Sequence, residues 1–293
     1  MSIFIYKYRH FLFMKNCIVV IPVYKETLDC VEEISLKRLY TVLKDSKQDV
    51  CLVCPAGMNT KAYTDIYPNL SFKTFDPKYF KNTQMYSQLC LSYDFYDYFS
   101  HDYKYMLIYQ LDCYIFYNAI DEWCEKGYDY VGGPILSTDC GWDTVKKSRE
   151  GQKWQPYVGN GGLSLRNLET FKEITDPNGA LRKSLGLTDD KLSGVRFEDK
   201  YFCNDLYDYY ELSIPNWIDA MNFALDMSVD IIYNHLNLNP KPMGIHSVDK
   251  NIRFWKHVIP EFKDQKVIDY CEEKHKEFFK LYYDENDSTL RTA

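Results

Sequence analysis

Apolar residues in this chain come in two patterns that alternate from the start. Short unbroken runs give way to longer segments in which they return every three or four positions. Cys17-Ile18-Val19-Val20-Ile21-Pro22-Val23 is a β-branched run closed by Pro, the form of a first, buried parallel strand. From Thr27 to Lys44 one face carries Leu28, Val31, Ile34, Leu39, Val42 and Leu43, which predicts an amphipathic helix. Val50 to Cys54 reads as the next strand, closed by Pro55-Ala56-Gly57, and Leu70 to Phe75 as a third. A second long helix is predicted over Asn82 to Phe99, where Tyr86, Leu89, Tyr93, Tyr96 and Phe99 form an aromatic stripe better suited to a core than to a cofactor. It leads into the apolar run Tyr105 to Phe116, then a short helix over Asn118 to Lys126 and a strand, Tyr128 to Pro134, with a sharp Gly132-Gly133-Pro134 end. Strands alternating with helices predict an α/β fold with a mostly parallel sheet and helices on both faces.

Beyond residue 135 the pattern changes. Ile135 to Pro156 is polar and carries Gly141, Trp142 and Gly151, an exposed loop suited to act as a lid. From Phe262 to Tyr283 apolar positions are spread among many Lys and Glu, which predicts an outer amphipathic helix whose charges serve solvation. The expected organisation is a single domain over residues 16–255, preceded by an extension at 1–15 and followed by a helix and tail at 256–293.

Four places break the apolar pattern in ways that invite chemistry. Asp112 is a single carboxylate near the end of the Tyr105–Phe116 run, and a charge in such a run needs a basic partner, a helix to cap, or a cation that also holds a ligand. In Tyr157 to Arg166, Gly161-Gly162 form either a plain turn with a bulge or a close approach of backbone to a ligand. Glu198 and Asp199 fall in what reads as the first turn of a helix, where the macrodipole alone explains them, and where one of them could also serve as a general base. His246, in Met243-Gly244-Ile245-His246-Ser247, is either a hydrogen-bonded loop residue or a metal ligand.

Composition narrows the classes further. A formal charge of −7 and a pI near 5.5 give no general attraction to nucleic acid, so any bound phosphate must be met by local groups. Ten Cys without regular short spacing read as reduced thiols of a cytoplasmic protein, and Cys51-Leu52-Val53-Cys54 has no second pair with which to build a metal site. Lys7, Arg9, His10 and Lys15 interrupt the N-terminal apolar residues, and Met14 reads as the natural start, with residues 1–13 a frayed extension.

In order, these features resemble the glycosyltransferases of GT-A fold, Rossmann-like enzymes with a nucleotide-facing first strand and an acidic metal motif that closes a central strand. The likeness spans about residues 16 to 250. It is strongest to a poorly characterised, mostly bacterial group marked here by Tyr109-Gln110-Leu111-Asp112, Gly132-Gly133-Pro134, Val158 to Arg166 and Glu198-Asp199-Lys200-Tyr201-Phe202. Met243-Gly244-Ile245-His246 also looks like the metal-binding segment of the β-1,4-galactosyltransferases, although Met243 is a soft donor for Mn²⁺ or Mg²⁺. The resemblance implies a nucleoside diphosphate-sugar lying against Pro22, Val23, Tyr24, Gln110, Asp112, Gly161 and Gly162. It implies Mn²⁺, favoured over Mg²⁺, on Asp112 and His246, with Asp199 or else Glu198 as catalytic base for inverting transfer to a glycan or lipid-linked acceptor.

The usual Asp-x-Asp motif is here Gln110-Leu111-Asp112, so the first position offers an oxygen without a charge. A role in surface polysaccharide synthesis and peripheral membrane contact follow only from the family likeness. Two rivals fit part of the pattern: a non-catalytic sugar-nucleotide or glycan binder, and a nucleotidyltransferase, whose basic Gly-rich loop is missing after Pro22.

Overall fold

The computed structural model describes residues 14–135 and 157–280, apart from 185, 187, 207–209, 227, 228 and 230–240. The expected lid over Ile135–Pro156 lies, beyond its first residue, largely outside these, as do the extension at 1–13 and the tail past 280. Among the described residues no helix is long and apolar enough to cross a membrane.

The chain alternates as its pattern predicts. β1 (Lys15–Pro22) is followed by α1 (Cys30–Leu43), β2 (Asp49–Pro55), β3 (Ser71–Phe75), α2 (Thr83–Cys90), α3 (Tyr93–Ser100) and β4 (Tyr103–Tyr109). Asp29 caps α1 in a reciprocal box with Glu32, so the helix begins at Cys30 rather than Thr27. The central sheet runs β3-β2-β1-β4-β9-β6, where β6 is Tyr130–Gly132 and β9 is Leu163–Asn167. Its first four strands are parallel, with Val19 opposite Val50 on one side and Leu107 on the other, and β9 runs antiparallel to both β4 and β6. Side chains on one face (Val19, Ile21, Leu52, Leu107) pack with Leu36 and Leu39 of α1. Those on the other (Ile18, Val20, Val53, Met106) pack with Leu89, Tyr96 and Phe99. Burial on both faces explains why these strands are unbroken apolar runs. Cys51 and Cys54 join opposite cores and share no site.

Three expectations are corrected. The helix predicted over Asn82–Phe99 is two helices, because Ser92 adopts an extended backbone and starts α3 afresh, its hydroxyl donating to Leu89 O at 2.7 Å. The run Tyr105–Phe116 is not one strand: β4 ends at Tyr109, and after a turn β5 (Tyr114–Ile115) joins a second sheet with β10 (Ala224–Leu225) and β11 (Gly244–Ile245). The C-terminal helix divides at His275 into α9 (Gln265–Lys274) and α10 (Lys276–Phe279), and its charges do more than face water. Lys274 Nζ and His275 Nε2 lie 2.9 and 2.7 Å from the carboxylate of Asp249, itself only 2% exposed. A carboxylate that deep in the protein requires such partners.

Candidate functional site

Parallel strands leave their carboxyl ends free, and Gln110-Leu111-Asp112 follows directly from β4 at that edge. Backbone bonds tie the turn to two distant segments. Gln110 N donates to Gly162 O at 2.9 Å, and Val248 N donates to Asp112 O at 3.0 Å. His246 leaves β11 beside it, followed by Ser247, the one described non-glycine residue at positive φ (51°). The His246 ring stands with Nε2 3.3 Å from Asp112 Oδ1 and 3.3 Å from Gln110 Oε1. A Cβ on Gly162 would come within 2.1 Å of Nε2, so glycine there leaves room for the imidazole.

Asp112 Oδ1 is buried and makes no hydrogen bond, although it faces the ring nitrogen. A buried carboxylate oxygen needs a cation beside it, here the His246 imidazolium or a metal ion in place of its proton. Neighbouring ligands on one ion at about 2.1 Å stand roughly 3 Å apart, close to the observed spacing. The other face of the ring is held by Asp226, whose Oδ1 lies 3.0 Å from Nδ1, the carboxylate–histidine arrangement of metal sites. Burial disfavours the imidazolium, but the carboxylates of Asp112 and Asp226 outweigh it and raise the His246 pKa to about 10, so a cation on Nε2 competes with that proton. Cys113 also lies within 4.8 Å of these donors, but its thiol donates to Gly162 O at 3.3 Å, and burial pushes its pKa well up, against service as a thiolate. Met243 is buried in the core rather than turned to the site. Oxygen and imidazole donors therefore fit a hard divalent ion on Asp112 and His246, with Gln110 beside them.

The acid pair stands across the same cavity. Glu198 and Asp199 open α6 (Glu198–Lys200), as the sequence predicts. Both are buried, and they are held differently. Glu198 accepts from Arg166 Nη2 at 3.0 Å and from Ser87 Oγ at 2.9 Å. Asp199 accepts backbone N–H bonds from Gly161 at 2.9 Å and Lys200 at 2.7 Å. Burial, and next the Glu198 charge, raise the Asp199 pKa to about 7 against these bonds.

Two cavities meet here. One, of about 440 Å³, is lined by Pro22, Val23, Tyr24, Tyr63 and Lys274. The other, of about 560 Å³, is lined by Gly161, Gly162, Asp199, His246 and Phe278. Thr83, Tyr86, Gln110 and Asp112 belong to both walls, so the cavities adjoin at the end of β4. Every residue predicted for donor, metal or base thus borders one continuous cleft.

Residues 69–246 match the model of a family described as "Protein of unknown function (DUF5672)". The chain belongs to this family. No curated protein matches the DUF5672 chain by sequence. By structure it is similar to the galactosyltransferase LgtC in complex with donor and acceptor sugar analogues, with a TM-score of 0.51 at 11% identity over 78% of this chain and 86% of LgtC. It is also similar to mouse xyloside xylosyltransferase 1 in its apo form, with a TM-score of 0.51 at 12% identity over 79% of this chain and 97% of that one. At such identities the likeness establishes the fold, the GT-A architecture implied by the sequence resemblance.

The match to DUF5672 takes in Asp112, Gly161-Gly162, Glu198-Asp199 and His246, and leaves out Pro22–Tyr24 and the C-terminal helices. It also takes in what sequence reasoning missed. Asp226 ends the short apolar run Phe223-Ala224-Leu225 much as Asp112 follows β4, and that parallel was a usable signal. Asn160, which donates to Asp226 Oδ2 at 3.0 Å and accepts from Gly162 N at 3.0 Å, gave none. Neither did Ser87, a small polar residue among aromatics on α2.

Proposed function

We propose that this DUF5672 protein is a glycosyltransferase that moves a sugar from a nucleoside diphosphate-sugar to a hydroxyl of a glycan or lipid-linked acceptor, with inversion and with metal assistance. The observation that carries the reading is the convergence on one cleft of Asp112, His246 and a buried acid pair, in a chain of GT-A fold.

In this reading residues 16–255 form the catalytic domain. The appended helices contribute Lys274 and Phe278 to the cleft walls. The nucleoside occupies the cavity at Pro22, Val23 and Tyr24, where the Tyr24 ring is 64% exposed and free to cover a base. Asp112 and His246 would hold the ion, Mn²⁺ in preference to Mg²⁺, because Mg²⁺ takes almost only oxygen ligands and one of these donors is an imidazole nitrogen. When bound, the ion supplies Lewis acidity to the departing diphosphate. Gln110 offers a neutral oxygen to the ion or a ribose hydroxyl, and Asp226 fixes the imidazole through Nδ1. The backbone of Gly161-Gly162 borders the transferred sugar, because no side chain stands there.

Asp199 accepts the proton of the attacking acceptor hydroxyl. A group titrating near 7 is matched to that task at neutral pH. Glu198 is less suited, because it is ion-paired with the buried Arg166 guanidinium, which favours its charged form, whereas Asp199 is held by backbone N–H groups.

The test is sugar transfer from a panel of UDP-, GDP-, CMP- and dTDP-sugars with and without Mn²⁺, comparing wild type with Asp112→Asn and Asp199→Asn. Mn²⁺-dependent turnover with one donor, lost in both variants while Asp199→Asn still binds that donor, is expected. Transfer at the wild-type rate by both variants would overturn the assignment. Donor binding without turnover would favour the non-catalytic binder.

A further inference from the structure

Among the described residues, Arg166, on β9, is the largest fully buried charged side chain, at 0% exposure, and it stands one contact away from Asp199. Burying a guanidinium is costly, and it is tolerated only where its donors are matched. Here all three nitrogens of the fork are engaged: Nη1 with Tyr96 OH at 2.8 Å, Nη2 with Glu198 Oε1 at 3.0 Å and Nε with Ser164 Oγ at 3.2 Å.

Two of these contacts lead to the same carboxyl from opposite sides. Glu198 is the chain neighbour of Asp199, and its other oxygen is pinned by Ser87 of α2. Ser164 donates to Gly161 O at 2.9 Å, and Gly161 N donates in turn to Asp199 Oδ2 at 2.9 Å. The space between is tight, since a Cβ on Gly161 would lie 3.1 Å from both Asp199 Oδ2 and Glu198 Oε1. Helix α2 adds a further clamp: Gln88 Nε2 donates to Leu192 O at 2.9 Å and Val195 O at 3.0 Å in the segment that leads to α6.

We propose that Arg166 is a positioning residue for the transfer reaction, holding Asp199 in place through Glu198 on one side and through Ser164 and Gly161 on the other. The inference rests on the glycosyltransferase reading, in which Asp199 meets the acceptor. It assigns Glu198 the part of a strut rather than a proton carrier. Besides Glu198 and Arg166, the titratable groups around Asp199 are the Tyr130 phenol from β6 and, around the shared cavity, Tyr86, Asp112, Asp226, His246 and Lys250.

Two variants separate positioning from plain support. Arg166→Lys keeps the charge, but a single ammonium cannot hold Ser164, Tyr96 and Glu198 in the geometry of the fork. It should lower kcat about tenfold with the KM for donor unchanged. Glu198→Gln removes the neighbouring negative charge and should move the Asp199 titration about one unit to lower pH. That titration is read by ¹³C carboxyl NMR, with Asp199→Asn supplying the assignment, so it does not depend on a donor being known. The pH–rate midpoint should move with it. An Arg166→Lys enzyme with lower melting temperature and unchanged kcat would make Arg166 structural and overturn the proposal. So would an Asp199 titration that Glu198→Gln leaves in place, which also serves as the check should Arg166→Lys not fold. An NMR displacement that the rate profile does not follow would instead remove Asp199 as base, and with it the reading on which this inference stands.

Discussion

Asp112 and Glu198 are carboxylates on the walls of one cavity, with opposite surroundings. Both oxygens of Glu198 are bound by Arg166 and Ser87, and its charge is matched inside the protein. Asp112 faces an imidazole at 3.3 Å, yet its buried oxygen makes no hydrogen bond. A carboxylate bound at both oxygens can hold a neighbour in place, whereas one paired only with a displaceable imidazole proton can receive a metal ion. The cleft therefore has a closed corner at the acid pair and an open corner at Asp112 and His246. That division underlies the roles proposed for them.

The sharpest way to break this contrast is at the closed corner. Asp199→Asn should cut sugar transfer by about 10²–10⁴-fold, the usual range for loss of a general base, while donor-induced thermal stabilisation stays at the wild-type level. Loss of donor binding in that variant would place Asp199 among the donor contacts and erase the distinction. At the open corner, Asp226→Asn leaves the ligands and an acceptor oxygen near Nδ1 in place but removes the charge that makes the imidazole a stronger ligand, and Mn²⁺ affinity by calorimetry should fall about tenfold. An unchanged affinity would mean that His246 needs no support to bind the ion.

The pH dependence of stability sharpens the comparison. The folded-state pKa of Asp199, about 7, lies above its unfolded value near 4, so the folded state holds the extra proton between the two. Wild type should lose stability relative to Asp199→Asn as pH rises from about 4 to about 7, by about 1.4 kcal/mol for each unit of displacement, and level off above. Denaturant titrations across that window would show it, and a difference constant with pH would contradict it. The smallest effect on stability is expected at Lys274, on the wall of the nucleoside cavity. Lys274→Ala leaves Asp249 with His275 as a partner and should cost on the order of 1 kcal/mol, seen as a modest fall in melting temperature.

These corners were not equally legible in the sequence. β1, β2 and β4 announce themselves because burial on both sides of a parallel sheet leaves unbroken apolar runs. Asp112 stood out for the same reason, as a charge where such a run ends. The break at Ser92 was hidden because the aromatic period continues across it from α2 to α3. Arg166 lay inside a recognised motif, but its role depends on Ser87, Tyr96 and Glu198, which are brought to it only by the folded sheet and helices. Asp249 was missed on the same grounds, since a buried acid is defined by distant partners; Asp226 does end a short apolar run, but its role depends on His246, 20 positions further on. The charges of Lys274 and His275 looked like solvation because their partner, Asp249, is 25 or 26 positions away in the chain.

The open corner admits a direct measurement, electron paramagnetic resonance of Mn²⁺ titrated into the protein with and without a nucleoside diphosphate. One Mn²⁺ should bind, more tightly with the nucleotide present, and binding should be lost in both Asp112→Asn and His246→Ala. Mn²⁺ that binds equally well to wild type and to these two variants would contradict the assignment of the site and, with it, the metal-assisted transfer proposed for this fold.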